Sequence, residues 1–256
     1  IHDAAVYAVP LTFSMAFGMW YRFLLKRVVA RSRRIITVSE FSKKELIKYT
    51  GVSETIVDVI HLGKEHVLEI ENNDDIIRRN ELLKGKYILA VSSLNPNKNF
   101  RSIVKALELL GSNIDIVLAG ARNQKVFSGS EDQLSANIKY VGYVTDCELK
   151  SLYENAMVFI FPSFYEGFGL PPLEAMTCGC PVVVSNVASL PEVFGDAAMY
   201  CDPHSPQDIV NKINVVIDNP NQRENLKKKG IKRAKQFTWD KCARETMKVI
   251  EEVLSR

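Results

Sequence analysis

A chain of 256 residues with 46% hydrophobic and 25% charged content can bury a substantial core, as one large or two modest domains. Its net charge of +3 is too small for a general polyanion binder, so nucleic acid is not an expected partner. Five cysteines, Cys147, Cys178, Cys180, Cys201 and Cys242, are an odd number without zinc-site spacing, and read as free thiols of a reducing, cytoplasmic compartment.

The chain opens on Ile1 and an apolar run with no basic stretch before it, which does not fit a signal peptide and reads as the continuation of a longer chain. Residues 4–21 are uncharged, but Pro10, Thr12, Ser14 and Gly18 interrupt them, so a loop followed by a buried helix is favoured over a membrane span. A helix is predicted over 14–32, then a strand from Ile35, a short helix after Ser42 and a strand from Ile56. Arg22, Lys26, Arg27, Arg31, Arg33 and Arg34 follow Trp20 and Tyr21 without an intervening acid. That run suits either a solvated helix face or peripheral contact with an anionic membrane.

Residues 1–63 hold too few elements for a closed domain and read as the end of an acceptor-binding one. The stretch from Gly63 to Gly85 is expected to hold the connection and one helix. Short apolar runs then begin at Tyr87, Ile114, Ile138, Met157, Pro181 and Met199, giving six strands. Between them helices are expected at 100–110, 124–134, 146–155, 171–178 and 190–195. The pattern predicts a parallel, doubly wound α/β domain over 64–237, with its ligand at the carboxyl ends of the strands. Three helices close the chain, at 207–218, 221–236 and 239–254, the last with Thr238 as N-cap. Residues 238–256 are expected to return toward the first segment.

The most informative stretch runs from Ser163 to Pro181, leaving a strand and entering a helix through Glu166-Gly-Phe-Gly-Leu-Pro-Pro-Leu-Glu174. Gly167 and Gly169 allow close backbone approach, and the N–H groups of the helix start, with Leu170 just ahead of it, favour a diphosphate. Pro172 stands where a dinucleotide fingerprint needs glycine, which argues against a nicotinamide enzyme. A carboxylate can accept from two vicinal hydroxyls, so Glu174 suits a ribose. Taken singly, Glu174 also reads as an acid complementing a helix dipole, and Glu166 as a solvated loop acid. Glycoside hydrolysis is the weaker fit, because its two carboxylates must flank one bond.

This segment resembles the retaining glycosyltransferases of family 4, whose members have the two-domain GT-B fold and an E-x7-E motif. The resemblance extends to Ile1-His2-Asp3, Thr37-Val-Ser-Glu-Phe-Ser, Asn95-Pro-Asn-Lys-Asn, Tyr140-Val-Gly-Tyr-Val, Leu190-Pro-Glu-Val and Phe237-Thr-Trp-Asp. It implies a complete Rossmann-like C-terminal domain with a fragment of the N-terminal one. It also implies a hexose, of mannose or glucose type, moved from GDP-mannose or a UDP-sugar to a glycan or lipid-linked acceptor in polysaccharide biosynthesis. Glu166 would lie near the transferred sugar, Glu174 at the ribose, and the backbone of Gly167, Phe168 and Gly169 at sugar hydroxyls or diphosphate. His2 would reach the donor sugar across the interdomain cleft.

The chain has no D-x-D pair of aspartates, so neither metal nor cofactor is expected. Lys98, in the loop after the first strand of the larger domain, is the candidate cation for the leaving diphosphate, or else a surface lysine. The family's companion arginine is replaced by Ser93, for which Asn99 or Arg122 are the candidate substitutes. Tyr143 and Val144 read equally as base contacts or as core; Ser39 and Glu40 read as cleft residues, or Ser39 as the end of a strand with Ser42 capping the helix that follows. A nucleotide-sugar-binding fragment without transfer activity and a GT-B epimerase remain the alternatives.

Overall fold

The structure is a computed structural model that describes residues 1–92, 95–110, 114–120 and 137–255. Ser93, Arg122 and the helix expected near 124–134 lie outside the described residues. All six expected strands of the larger sheet form: β3 (Tyr87–Ser92), β4 (Asp115–Gly120), β5 (Ile138–Gly142), β6 (Val158–Phe161), β7 (Val182–Ser185) and β8 (Met199–Cys201). Every pairing is parallel, in the order β5-β4-β3-β6-β7-β8. Chain direction across the sheet therefore reverses between β3 and β6, and a crevice opens beyond their carboxyl ends.

Strand periodicity divides the interior into two cores. Tyr87, Leu89, Val117, Phe159, Phe161, Val182 and Val184 face one side, while Ile88, Ala90, Ile116, Leu118, Val158, Ile160 and Val183 face the other. On the first side lie α5 (Asp75–Arg79), α7 (Asp146–Asn155), α8 (Leu170–Thr177) and α9 (Leu190–Phe194). On the second, α6 (Phe100–Leu110) and α10 (Pro206–Asp218) bring Ile103, Leu107, Ile209 and Ile213 to full burial. Each such side chain contributes about 1.5–3 kcal/mol through removal from water. The two-sided cover explains why these strands are apolar on both faces.

Ahead of the linker, α1 (Ala5–Ala8), α2 (Met15–Arg31) and α3 (Glu40–Thr50) surround a two-stranded parallel sheet of β1 (Ile35–Thr37) and β2 (Val57–Val59). A small cluster of Ala4, Leu25, Val29, Ile35, Leu46, Val52 and Val57 holds this segment together. Three expectations need correction here. The helix expected to be buried, α2, buries only Gly18, Leu25 and Val29 and leaves Met19, Trp20 and Phe23 exposed. The helix placed after Ser42 starts at Glu40, because Ser39 is the N-cap and its hydroxyl accepts the Ser42 amide. Between Gly63 and Gly85 two short helices form instead of one, α4 (His66–Glu69) and α5.

The remaining helices are α11 (Pro220–Ala234) and α12 (Trp239–Leu254). Thr238 caps α12 by accepting the Lys241 amide. This last helix buries none of its residues. It meets the first segment through the ion pair of Glu252 with Arg34 (3.0 Å), which also pairs with Asp58. Among the described residues no helix is long and apolar enough to cross a membrane.

Candidate active site

The site is built where the crevice opens. After β3, Asn95 accepts the Asn97 amide through its side chain, starting a single turn over Pro96–Lys98. Asn99 then turns left-handed at φ 54°, a conformation that asparagine tolerates, and is buried. Both of its amide hydrogens are donated, to the carbonyls of Pro162 (2.9 Å) and Pro203 (2.7 Å). Asn99 thus ties the loop after β3 to the loops after β6 and β8. Lys98 emerges from this braced turn over the ring of Phe161 (4.9 Å), and its ammonium meets Glu166 Oε1 at 2.7 Å. The two residues that flank the crevice form one ion pair, largely shielded from water.

The loop from Glu166 to Gly169 is held by its carbonyls. Ser189 donates to the Glu166 carbonyl (3.0 Å), while Ser39 (2.7 Å) and Ser42 (3.2 Å) both donate to that of Gly167. Among the described residues no protein acceptor faces the amides of Gly167, Phe168 or Gly169, so these N–H groups remain for an anionic or hydroxylated ligand. Glycine is required twice. A Cβ on Gly167 would lie 3.0 Å from Asp3 Cβ and 3.3 Å from the His2 carbonyl oxygen. Gly169 has φ +98°, and a Cβ there would meet Leu190 at 2.7 Å. The Phe168 ring belongs to the core, against Phe237 and His61.

The helix after this loop differs from expectation in one respect. It runs from Leu170, so Pro171 and Pro172 occupy its second and third positions and supply no N–H. Of the opening positions only Leu170 can donate, and anion binding there rests on Leu170 with the loop amides. Glu174 is the fifth helical residue, one position further in than a start at 171 gives, and its Oε1 accepts from His66 Nε2 at 2.9 Å.

The first segment closes over the loop. Tyr165 stacks edge-on against Phe41 (5.4 Å), and its hydroxyl accepts the Ala4 amide. Burial pushes that hydroxyl well up from its ordinary value, so it stays protonated. On the far side Glu192 accepts the amides of Glu40 (2.8 Å) and Phe41 (3.0 Å), capping α3 across the interface. Burial opposes ionisation of Glu192, yet the bonds from His61 and those two amides outweigh it and hold the carboxyl below its ordinary range.

Between the first segment and the ion pair lies a cavity of about 300 Å³, lined by Asp3, Tyr165, Lys98 and Glu166 and by an aromatic row from α2. Phe13, Phe17 and Tyr21 stack along that row at 5.6 and 5.5 Å. His2 is exposed, and its backbone lies beside Gly167. Tyr143 stands 86% exposed past the end of β5, so its ring is free to stack, whereas Val144 packs against the core. Glu40 is exposed and contributes its amide. His66, Ser189 and Glu192 were not foreseen: His66 and Glu174 are 108 residues apart, and no local pattern pairs them. The quoted Thr37-to-Ser42 and Leu190-Pro-Glu-Val stretches are mating halves of one interface, a relation carried only by their joint presence.

A doubly wound sheet with a lysine and a carboxylate at its crevice and glycine-freed amides beside them defines a nucleotide-type α/β domain. The family model described as "Glycosyl transferases group 1" matches residues 72–233. The chain is 33% identical, over 96% of its length and 68% of the relative's, to the O-antigen chain mannosyltransferase B of Escherichia coli. It is 30% identical to the O-antigen chain mannosyltransferase RfbU of Salmonella typhimurium, over 79% of this chain and 56% of that one. With the serotype-specific mannosyltransferase WbdA of Escherichia coli it shares 30% identity over 83% of its length, spanning 28% of that larger protein. The chain belongs to the group 1 glycosyltransferase family. Its fold is that of Anabaena Alr3699/HepE, solved with UDP and glucose (TM-score 0.80, 20% identity, 96% of this chain and 69% of that one). Sucrose-phosphate synthase from Thermosynechococcus elongatus is similar (TM-score 0.78, 21% identity, 93% and 62%).

Proposed function

We propose that the chain forms the donor half and part of the acceptor half of a retaining, metal-independent mannosyltransferase of polysaccharide assembly. The Lys98–Glu166 pair at the crevice carries this reading. Among the described residues Lys98 is a cation placed beside the free loop amides, and together they supply the positive field that a departing diphosphate requires. Glu166, then released from Lys98, faces the transferred sugar, with His2 supporting it from the other wall. Glu174 takes the ribose, and Tyr143 stacks on the base. Mannose is favoured by the three mannosyltransferase relatives, and GDP-mannose is the donor it implies, with a UDP-hexose as the alternative. Retention of configuration and independence of metal rest on the family resemblance and on the missing D-x-D element.

The acceptor glycan enters the 300 Å³ cavity and lays a sugar face on Phe17 and Tyr21. A lipid-linked acceptor fits the exposed Met19, Trp20 and Phe23 beside Lys26, Arg27 and Arg31, which suit peripheral contact with an anionic membrane. Co-sedimentation with anionic but not zwitterionic vesicles tests that contact. For the reaction, donor consumption is followed with GDP-mannose and UDP-glucose in excess EDTA, with and without an α-mannoside. Consumption that depends on the mannoside is expected. Donor isomerisation would instead establish an epimerase, and metal dependence would remove the protein-only account of the leaving group. Binding without consumption, in a version extended at its N-terminus as well, would leave a binding module.

A further inference from the structure

Two hydrogen bonds run in series behind the donor crevice. The Trp239 indole N–H donates to His66 Nδ1 at 3.1 Å, and His66 Nε2 stands 2.9 Å from Glu174 Oε1. An indole nitrogen donates only, so His66 Nδ1 must present a lone pair, and the ring hydrogen lies on Nε2, directed at the carboxylate. The tautomer is thus set by Trp239. Nearby, the Trp239 amide donates to Glu65 at 2.8 Å. Gly63 makes the crossing feasible, since a Cβ there would lie 2.2 Å from the Trp239 backbone nitrogen. The start of α12 is therefore fastened to residues 63, 65 and 66.

Glu174 has one oxygen engaged by His66, and its side chain is only 17% exposed. Asp146, Lys150 and Tyr153 share a small cavity of about 80 Å³ with it. Lys150 turns away to the Ile70 carbonyl (2.7 Å). No lysine or arginine is paired with Glu174 among the described residues, so its orientation depends on His66. We propose that His66, itself fixed by Trp239, is a positioning residue that holds the Glu174 carboxylate in the orientation that accepts the ribose hydroxyls. The proposal rests on the ribose reading of Glu174. It gives the last helix, which buries nothing of its own, a role in donor binding.

Calorimetry on the full chain tests it, using whichever of GDP and UDP binds more tightly and, separately, inorganic pyrophosphate. His66→Ala should weaken the nucleotide about fivefold to twentyfold, less than the full loss of a hydrogen bond to a charged group because the effect acts through Glu174, and leave pyrophosphate unchanged. His66→Gln, which keeps a donor near the Nε2 position, should stay close to the parent. Trp239→Phe, which lacks the N–H but keeps the ring, should show a smaller loss of the same kind and provides a second variant should His66→Ala fold poorly. In a Glu174→Ala background the His66→Ala loss should vanish. Equal weakening of pyrophosphate, or a full His66→Ala loss in that background, overturns the proposal. Glu174→Ala with parental affinity overturns the ribose reading itself, whereas a Glu174→Ala loss without a His66→Ala loss overturns the positioning role alone.

Discussion

The ammonium of Lys98 faces Glu166 at 2.7 Å, so a diphosphate bound there would meet a cation already paired. The pairing keeps Lys98 from being an unpaired, half-buried charge before the donor arrives. Lys98→Ala should therefore weaken a nucleoside diphosphate by about 1.5–3 kcal/mol while leaving the nucleoside unaffected. Titration calorimetry with both ligands decides it, and equal losses would assign Lys98 a structural role. Glu166 and the two loop glycines were legible as candidates because the motif carries them in one contiguous stretch, and Lys98 because its loop follows the first strand of the larger sheet. Asn99 was expected at the donor, but its two bonds to the Pro162 and Pro203 carbonyls could not be read from the sequence, since both acceptors are distant backbone atoms.

At the scale of the element, α8 shows how a short helix can be specified by what precedes it. Gly169 is its N-cap with no side chain to offer, and a Cβ there meets both a forbidden φ and the Leu190 side chain at 2.7 Å. Gly169→Ala should lower unfolding free energy by about 1–3 kcal/mol through backbone strain alone, more if Leu190 cannot move. Urea denaturation followed by circular dichroism measures it. Strands and long helices were legible from their periods, and the three closing helices begin within one residue of expectation. The start of α3 was the exception. Two serines three residues apart could each have capped α3, and the choice fell to Ser39 because its hydroxyl also reaches the Gly167 carbonyl in the other segment.

At the scale of the molecule, the first segment is held to the larger sheet mostly by polar contacts to backbone, and this makes its docking sensitive to acid. Glu192 has a folded pKa below its ordinary 4.5. Its contribution is thus fully present above that value and is lost as the pH falls through the lower folded one. Glu192→Gln should flatten the acid side of the stability curve below about pH 4.5, measured as the urea midpoint at each pH. A curve parallel to the parent's would show that the cap carries no linkage.

The carbonyl of Gly167 is gripped by Ser39 and Ser42, while the amides of the same loop are the proposed seat of the donor. On that proposal one run of four residues serves two ligands: the protein's own first segment on one edge and a nucleotide sugar on the other. Whatever free energy docking gives donor binding, donor binding must return to docking, by thermodynamic reciprocity. The Glu40 and Phe41 amides, bonded to Glu192, are natural reporters of that return. Saturating donor should slow their hydrogen exchange, and the ratio of rates with and without it, measured where exchange follows opening equilibria, gives the coupling as a number.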